Sequence, residues 1–133
     1  MKHIVDTHVL VWWLTEDRKL RKEHSKILER AERSATRVGV SAMTLWEIAK
    51  LVEIGHIELD QSVDEALEHV ESSALFDILP LTARIAVEST RLGAGFPSDP
   101  VDQIVAATAR CIGLTLLTAD ERIIDSGVVS TVA

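Results

Sequence analysis

A chain of 133 residues, 47% apolar and 26% charged, has the size of one domain and can bury roughly two thirds of its unfolded surface. That composition argues against disorder, and apolar runs all far below about 18 residues argue against a membrane span. A single cysteine rules out an internal disulfide, and a net charge of −7 disfavours a nucleic-acid partner unless the charge is unevenly spread.

Lys2-His3-Ile4-Val5 is too short for a helix and carries β-branched residues, so it reads as a buried strand ending at Asp6-Thr7. Val9, Trp12 and Trp13 recur at helical spacing, which predicts a helix up to Leu14. Asp6 breaks the apolar start, so no signal peptide is expected, and with one cysteine a reducing cytoplasm suits the chain. A long polar helix is expected over Glu16 to Ser34, with Leu20, Ile27, Leu28 and Ala31 inward. A strand follows over Arg37 to Ser41, then a helix from Leu45 to Ile54 stopped at Gly55. Ile57-Glu58-Leu59 reads as a brief extended piece, and Ser62 opens a helix through Val70.

Asp77 to Leu81 is expected as a strand, Thr82 to Leu92 as a helix, and Gly93 to Pro97 as a loop. Asp99-Pro100 begins a nearly all-apolar helix that Gly113 ends, and Cys111 sits inside it as ordinary packing. Leu114 to Thr118 is the next strand, Asp120 to Ile124 a short helix, and Val128-Val129 a last strand. Strands alternating with helices predict a single 1–133 domain, an α/β/α sandwich around a central parallel sheet.

Charge is uneven. Residues 17 to 37 hold eight of the fourteen Lys and Arg, Arg18, Lys19, Arg21 and Lys22 among them, but only four acids. That segment carries +4 and the remainder −11, so a basic stripe can attract a phosphate backbone that a uniform −7 would repel. A solvated helix face explains the same stripe.

Four acids stand at strand ends or in opening turns of helices. Asp6, Glu47, Asp102 and Asp120 each have a plain alternative: a contact with the next helix, a Thr44–Glu47 capping box, a first-turn carboxylate, a cap. Asp99 before Pro100 reads as an N-cap. In a parallel sheet, however, all these places lie along one edge, outside the carboxyl ends of the strands. Two carboxylates about 4 Å apart repel by roughly 4 kcal/mol at an effective dielectric near 20, so gathering several calls for a cation. Hard carboxylate oxygens suit Mg²⁺ or Mn²⁺. The five histidines lack zinc spacing and read as surface or half-buried residues, and no phosphate-cradling glycine loop or nucleophile elbow is present.

Ile4-Val5-Asp6-Thr7-His8-Val9-Leu10-Val11-Trp12 resembles the opening motif of PIN-domain nucleases. Val40 to Ala49, Asp99 to Ala109 and Leu116-Leu117-Thr118-Ala119-Asp120 complete the set in order, and the whole most resembles VapC-like toxins of type II toxin–antitoxin systems. The resemblance implies a Mg²⁺- or Mn²⁺-dependent endoribonuclease, inhibited by a cognate antitoxin and commonly dimeric. Asp6, Glu47, Asp102 and Asp120 match its four acids, Asp99 an extra acid, and Thr7 and Thr118 hydroxyl positions near the metal. One departure is Gln103, at a position where this subgroup often has Arg. The basic residues expected to draw in RNA are Arg18, Lys19, Arg21, Lys22 and Lys50. A dehalogenase-type phosphatase would want a second Asp where His8 stands. The remaining rival is a non-catalytic metal- or partner-binding α/β module.

Overall fold

Short runs of Val, Ile and Leu become strands because each has both faces to bury. The computed structural model describes residues 1–133. Its elements are β1 (His3–Val5), α1 (Thr7–Leu14), α2 (Lys22–Arg33), β2 (Val38–Ser41), α3 (Ala42–Glu53) and α4 (Val63–Ser72), followed by β3 (Phe76–Leu79), α5 (Ala83–Ser89), α6 (Pro100–Ile112), β4 (Thr115–Leu117), α7 (Glu121–Ser126) and β5 (Thr131–Val132). The strands form one parallel sheet in the order β3-β2-β1-β4-β5. Ile4 pairs with Gly39 on one side and with Leu116 on the other. The chain leaves β1 toward β2 but returns to β4 on β1's other edge, which opens a crevice at the carboxyl ends of β1 and β4.

Neighbouring residues of a strand point to opposite faces, and two cores result. Val5, Val38, Val40 and Leu117 join α1–α4 through Val9, Leu10, Leu28, Ile48 and Val70. Ile4 and Leu116 face Val101, Val105, Ala106 and Ala109 of α6 and Ile123 of α7. This is the expected three-layer α/β/α sandwich, and α6 buries residues 105 to 109 without a break. Its ends are as read: Asp99 caps it, Pro100 stands at its first position, and Gly113 ends it in the left-handed conformation at φ 77°.

Three local expectations are corrected. No helix spans 16–21: Glu16 adopts φ 52°, the Asp17 side chain accepts the Lys19 amide at 2.9 Å, and α2 starts only at Lys22. Residues 57 to 59 pair with no strand. Val129 is buried in the second core, yet the last strand lies at Thr131–Val132, where Leu116 pairs with Thr131. No helix is long and apolar enough to cross a membrane.

Candidate active site

The site is assembled from helix beginnings. Asp6 leaves β1 and caps α1, its Oδ1 accepting the Val9 amide at 2.9 Å, and it is only 7% exposed. Asp99 caps α6, accepting the amides of Val101 at 2.9 Å and Asp102 at 3.0 Å. Asp102 therefore sits in the opening turn with its carboxylate free of protein hydrogen bonds to this cap. Asp120 follows β4 and caps α7. The capping-box reading of Thr44 and Glu47 fails. Ser41 caps α3 by accepting the Met43 amide at 3.1 Å, which leaves Glu47 in the second turn free for other work.

All five carboxylates line one cavity of about 330 Å³, together with His8, Trp12, Ala119 and Arg122. Four separate stretches of chain contribute to it, so the gathering is a product of topology. A larger groove of about 580 Å³, lined by Trp13, Leu20, Lys22 and His69 among others, contains none of the five.

Their environment is short of positive charge. Burial raises the pKa of Asp6, opposed by the Thr118 hydroxyl and the Val9 amide. Burial also raises Glu47, opposed by the Thr7 hydroxyl beside it and reinforced by the charge of Asp99. Asp102 is pushed up to about 7 by burial and then by Asp99, Asp6, Glu47 and Asp120. Asp120 alone moves down, held by the Arg122 guanidinium. Thr118 Oγ1 accepts the Asp120 amide at 3.1 Å, whereas the buried Thr7 Oγ1 lies near Glu47 without closing a hydrogen bond to it.

The donor chemistry fits a hard divalent cation: carboxylate oxygens, an orphaned buried hydroxyl, no thiolate, and acids whose charged forms are disfavoured by burial and, at Asp102 and Glu47, by one another. As the side chains stand, no three acids are close enough to hold one ion, and the Asp120 carboxylate is engaged by Arg122. Loading would therefore require the carboxylates to turn inward.

The basic residues are scattered. Lys19 shares a groove with His8 and Trp12 next to the acid cavity, and Arg21 donates to the Ala119 carbonyl at 3.4 Å and pairs with Glu121. Lys22 lines the larger groove on the α2 side, Arg18 lies in the exposed 16–21 turn, and Lys50 pairs with Glu53 at 2.6 Å. Of the cavity residues that sequence reasoning did not name as site residues, His8 and Arg122 are the two with basic side chains. Their signal was spacing, since each stands two residues after a site acid at a helix start. His24, expected at or near the surface, is fully buried and bonds the Val132 carbonyl through Nε2 at 2.6 Å.

The PIN domain profile matches residues 3–127. The chain belongs to the PIN-domain family. This PIN domain is 32% identical over 124 residues to Ribonuclease VapC22 of Mycobacterium tuberculosis, spanning 90% of this chain and 88% of that protein. Its fold is similar to that of VapBC2 from Rickettsia felis bound to a promoter DNA fragment, with TM-score 0.72, 15% identity, and 99% and 98% of the two chains covered. FitAcB from Neisseria gonorrhoeae gives TM-score 0.69 at 21% identity, covering 98% and 96%.

Proposed function

We propose that this PIN-domain chain is a Mg²⁺- or Mn²⁺-dependent endoribonuclease, the toxin of a toxin–antitoxin pair. The observation that carries the reading is the convergence of Asp6, Glu47, Asp99, Asp102 and Asp120 on one cavity at the carboxyl edge of the sheet. The ribonuclease name of the 32%-identical relative and the toxin–antitoxin complexes among the structural neighbours support it. The partners are accordingly an RNA substrate, a cognate antitoxin protein and a second copy of the chain in a homodimer, and the setting is the cytoplasm.

Asp6, Glu47, Asp102 and Asp120 would hold the cation, with Asp99 behind them and Thr7 and Thr118 beside them. When bound, a divalent ion supplies an acidified water and neutralises charge that develops on the phosphate during in-line attack. The chain's own residues do the rest. Asp6 is fixed by its bond to the Val9 amide, with the Thr118 hydroxyl beside it, so one carboxylate is preorganised. Asp99 holds Asp102 by accepting its amide, and its charge keeps Asp102 a ready acceptor of positive charge. His8 and Trp12, whose ring centres are 5.9 Å apart, connect the acids to the groove with Lys19, a path for an RNA strand.

Mn²⁺ titration by calorimetry, followed by cleavage of RNA with and without EDTA, tests the reading. The expected result is one or more ions bound and cleavage abolished by the chelator. Metal uptake with no cleavage of any RNA would select the non-catalytic module instead. Expression of the chain alone in a bacterium is expected to arrest growth, with rescue by a neighbouring small gene.

A further inference from the structure

Arg122 is the one guanidinium that lines the acid cavity, and it is committed in an unusual way. Its Nη2 donates to Asp120 Oδ2 at 2.9 Å, its Nε to Oδ1 at 3.3 Å, and its backbone amide to the same Oδ1 at 2.9 Å. Both oxygens of a candidate cation ligand are thus taken by a cation the chain carries itself. The side chain of Arg122 is 70% exposed, and an exposed ion pair is weak and easily opened. No other base substitutes for it in the cavity except His8. Gln103, the neighbour of Asp102, is neutral and donates its amide to the Pro97 carbonyl at 3.1 Å.

We propose that Arg122 is a substrate-binding residue: parked on Asp120 in the ion-free chain, it moves to a non-bridging oxygen of the RNA phosphate once a divalent ion takes the Asp120 carboxylate. The proposal rests on the nuclease reading above. Asp120 cannot serve both cations at full strength, and an ion beside it repels the guanidinium. The displaced fork is then next to the place where the phosphate must lie, and its geometry matches phosphate oxygens as well as carboxylate ones. Arg21 is less well placed for this part, since it does not line the acid cavity and reaches only the Ala119 carbonyl at 3.4 Å and Glu121 at 3.7 Å.

The test compares the wild-type chain with Arg122→Gln and Arg122→Lys. Mn²⁺ affinity is read by calorimetry, and binding of bulk tRNA is read against salt in Ca²⁺ and in EDTA. Arg122→Gln is expected to bind Mn²⁺ about 3–10-fold more tightly, with Arg122→Lys between the two, since a charge remains but the fork is gone. In Ca²⁺ its log–log salt slope for tRNA becomes shallower by about 0.7–1, the loss of one phosphate contact, while in EDTA the slope is unchanged. A merely structural Arg122 would not give an ion-dependent change. Equal slopes for wild type and Arg122→Gln in Ca²⁺, an equal change with and without ion, or no tRNA binding by wild type in Ca²⁺ would each overturn the proposal. Absence of RNA cleavage by the wild type with Mn²⁺ overturns the nuclease reading alone, because the affinity and slope measurements do not depend on turnover.

Discussion

Asp6 is under two demands that pull apart. As an N-cap it is satisfied by any side-chain oxygen that accepts the Val9 amide, but as a buried charge it is destabilised by the loss of water. Asp6→Asn keeps the cap oxygen and removes the charge. Cleavage is therefore expected to fall below detection while the melting temperature in EDTA stays level or rises. An active Asp6→Asn protein would take Asp6 out of the mechanism, and a collapse in melting temperature would make it structural. Asp99 can be divided in the same way. Asp99→Asn preserves the caps to Val101 and Asp102 but removes the charge that helps raise Asp102, so Mn²⁺ affinity should drop several-fold with the fold intact. Asp99→Ala loses the cap as well and should cost about 1 kcal/mol more in urea unfolding. The positions of Asp6, Asp99, Asp102 and Asp120 were readable because the local signals of a strand end or a proline-led helix start survive in a single sequence. Glu47 was read as a site acid too, but with a capping box as its rival, because Thr44 and Ser41 offer equivalent cap chemistry. Only the packing of α3 decides which hydroxyl stands outside the first turn.

At the scale of elements, α6 decides how near the acids come to one another. Ala106 and Ala109 are fully buried against Ile4 and Leu116, so the helix lies close to the sheet and delivers Asp99 and Asp102 to the ends of β1 and β4. Ala106→Leu adds volume where none is free. It should destabilise the chain by about 1–3 kcal/mol in urea and weaken Mn²⁺ binding, although residue 106 touches no ligand. Unchanged Mn²⁺ affinity in a destabilised variant would show that helix depth does not set the cavity. The ends of α6 could be read residue by residue, because Asp99, Pro100 and Gly113 each act on their own backbone. The start of α2 could not. Residues 16 to 21 are polar and compatible with a helix, but the chain must turn back after α1, and Glu16 in the left-handed region with Asp17 bonding Lys19 makes that turn. β5 was displaced for a related reason. Val128 and Val129 are the more apolar pair, yet a ladder is placed by register with Leu116, and the hydrophobic pair packs instead.

For the molecule as a whole, the uneven charge has a thermodynamic consequence. Asp6, Glu47 and Asp102 all hold protons more strongly in the folded chain than their ordinary values, Asp102 up to about 7. Between about pH 4 and 7 the folded state therefore binds more protons than the unfolded one, and stability falls as pH rises, the reverse of a salt-bridged carboxylate. Asp120 works the other way at more acid pH, outside this window, and His3, whose pKa burial lowers, offsets part of the fall just below pH 6.5. At full weight the shift of Asp102 would correspond to about 4 kcal/mol, and solvent screening of a group partly open to water reduces this to about 2 kcal/mol. In EDTA the chain should unfold at lower urea at pH 8 than at pH 5, and Asp102→Asn should remove most of that difference. Mn²⁺ at a hundred times its Kd adds about 2.7 kcal/mol at pH 8 and much less at pH 5, where protons hold the ligands. The order of stability then reverses between EDTA and Mn²⁺. An ion-free chain whose stability is flat or rising from pH 5 to 8 would mean that the carboxylates do not oppose one another in solution, and the case for a cation between them would lose its physical ground.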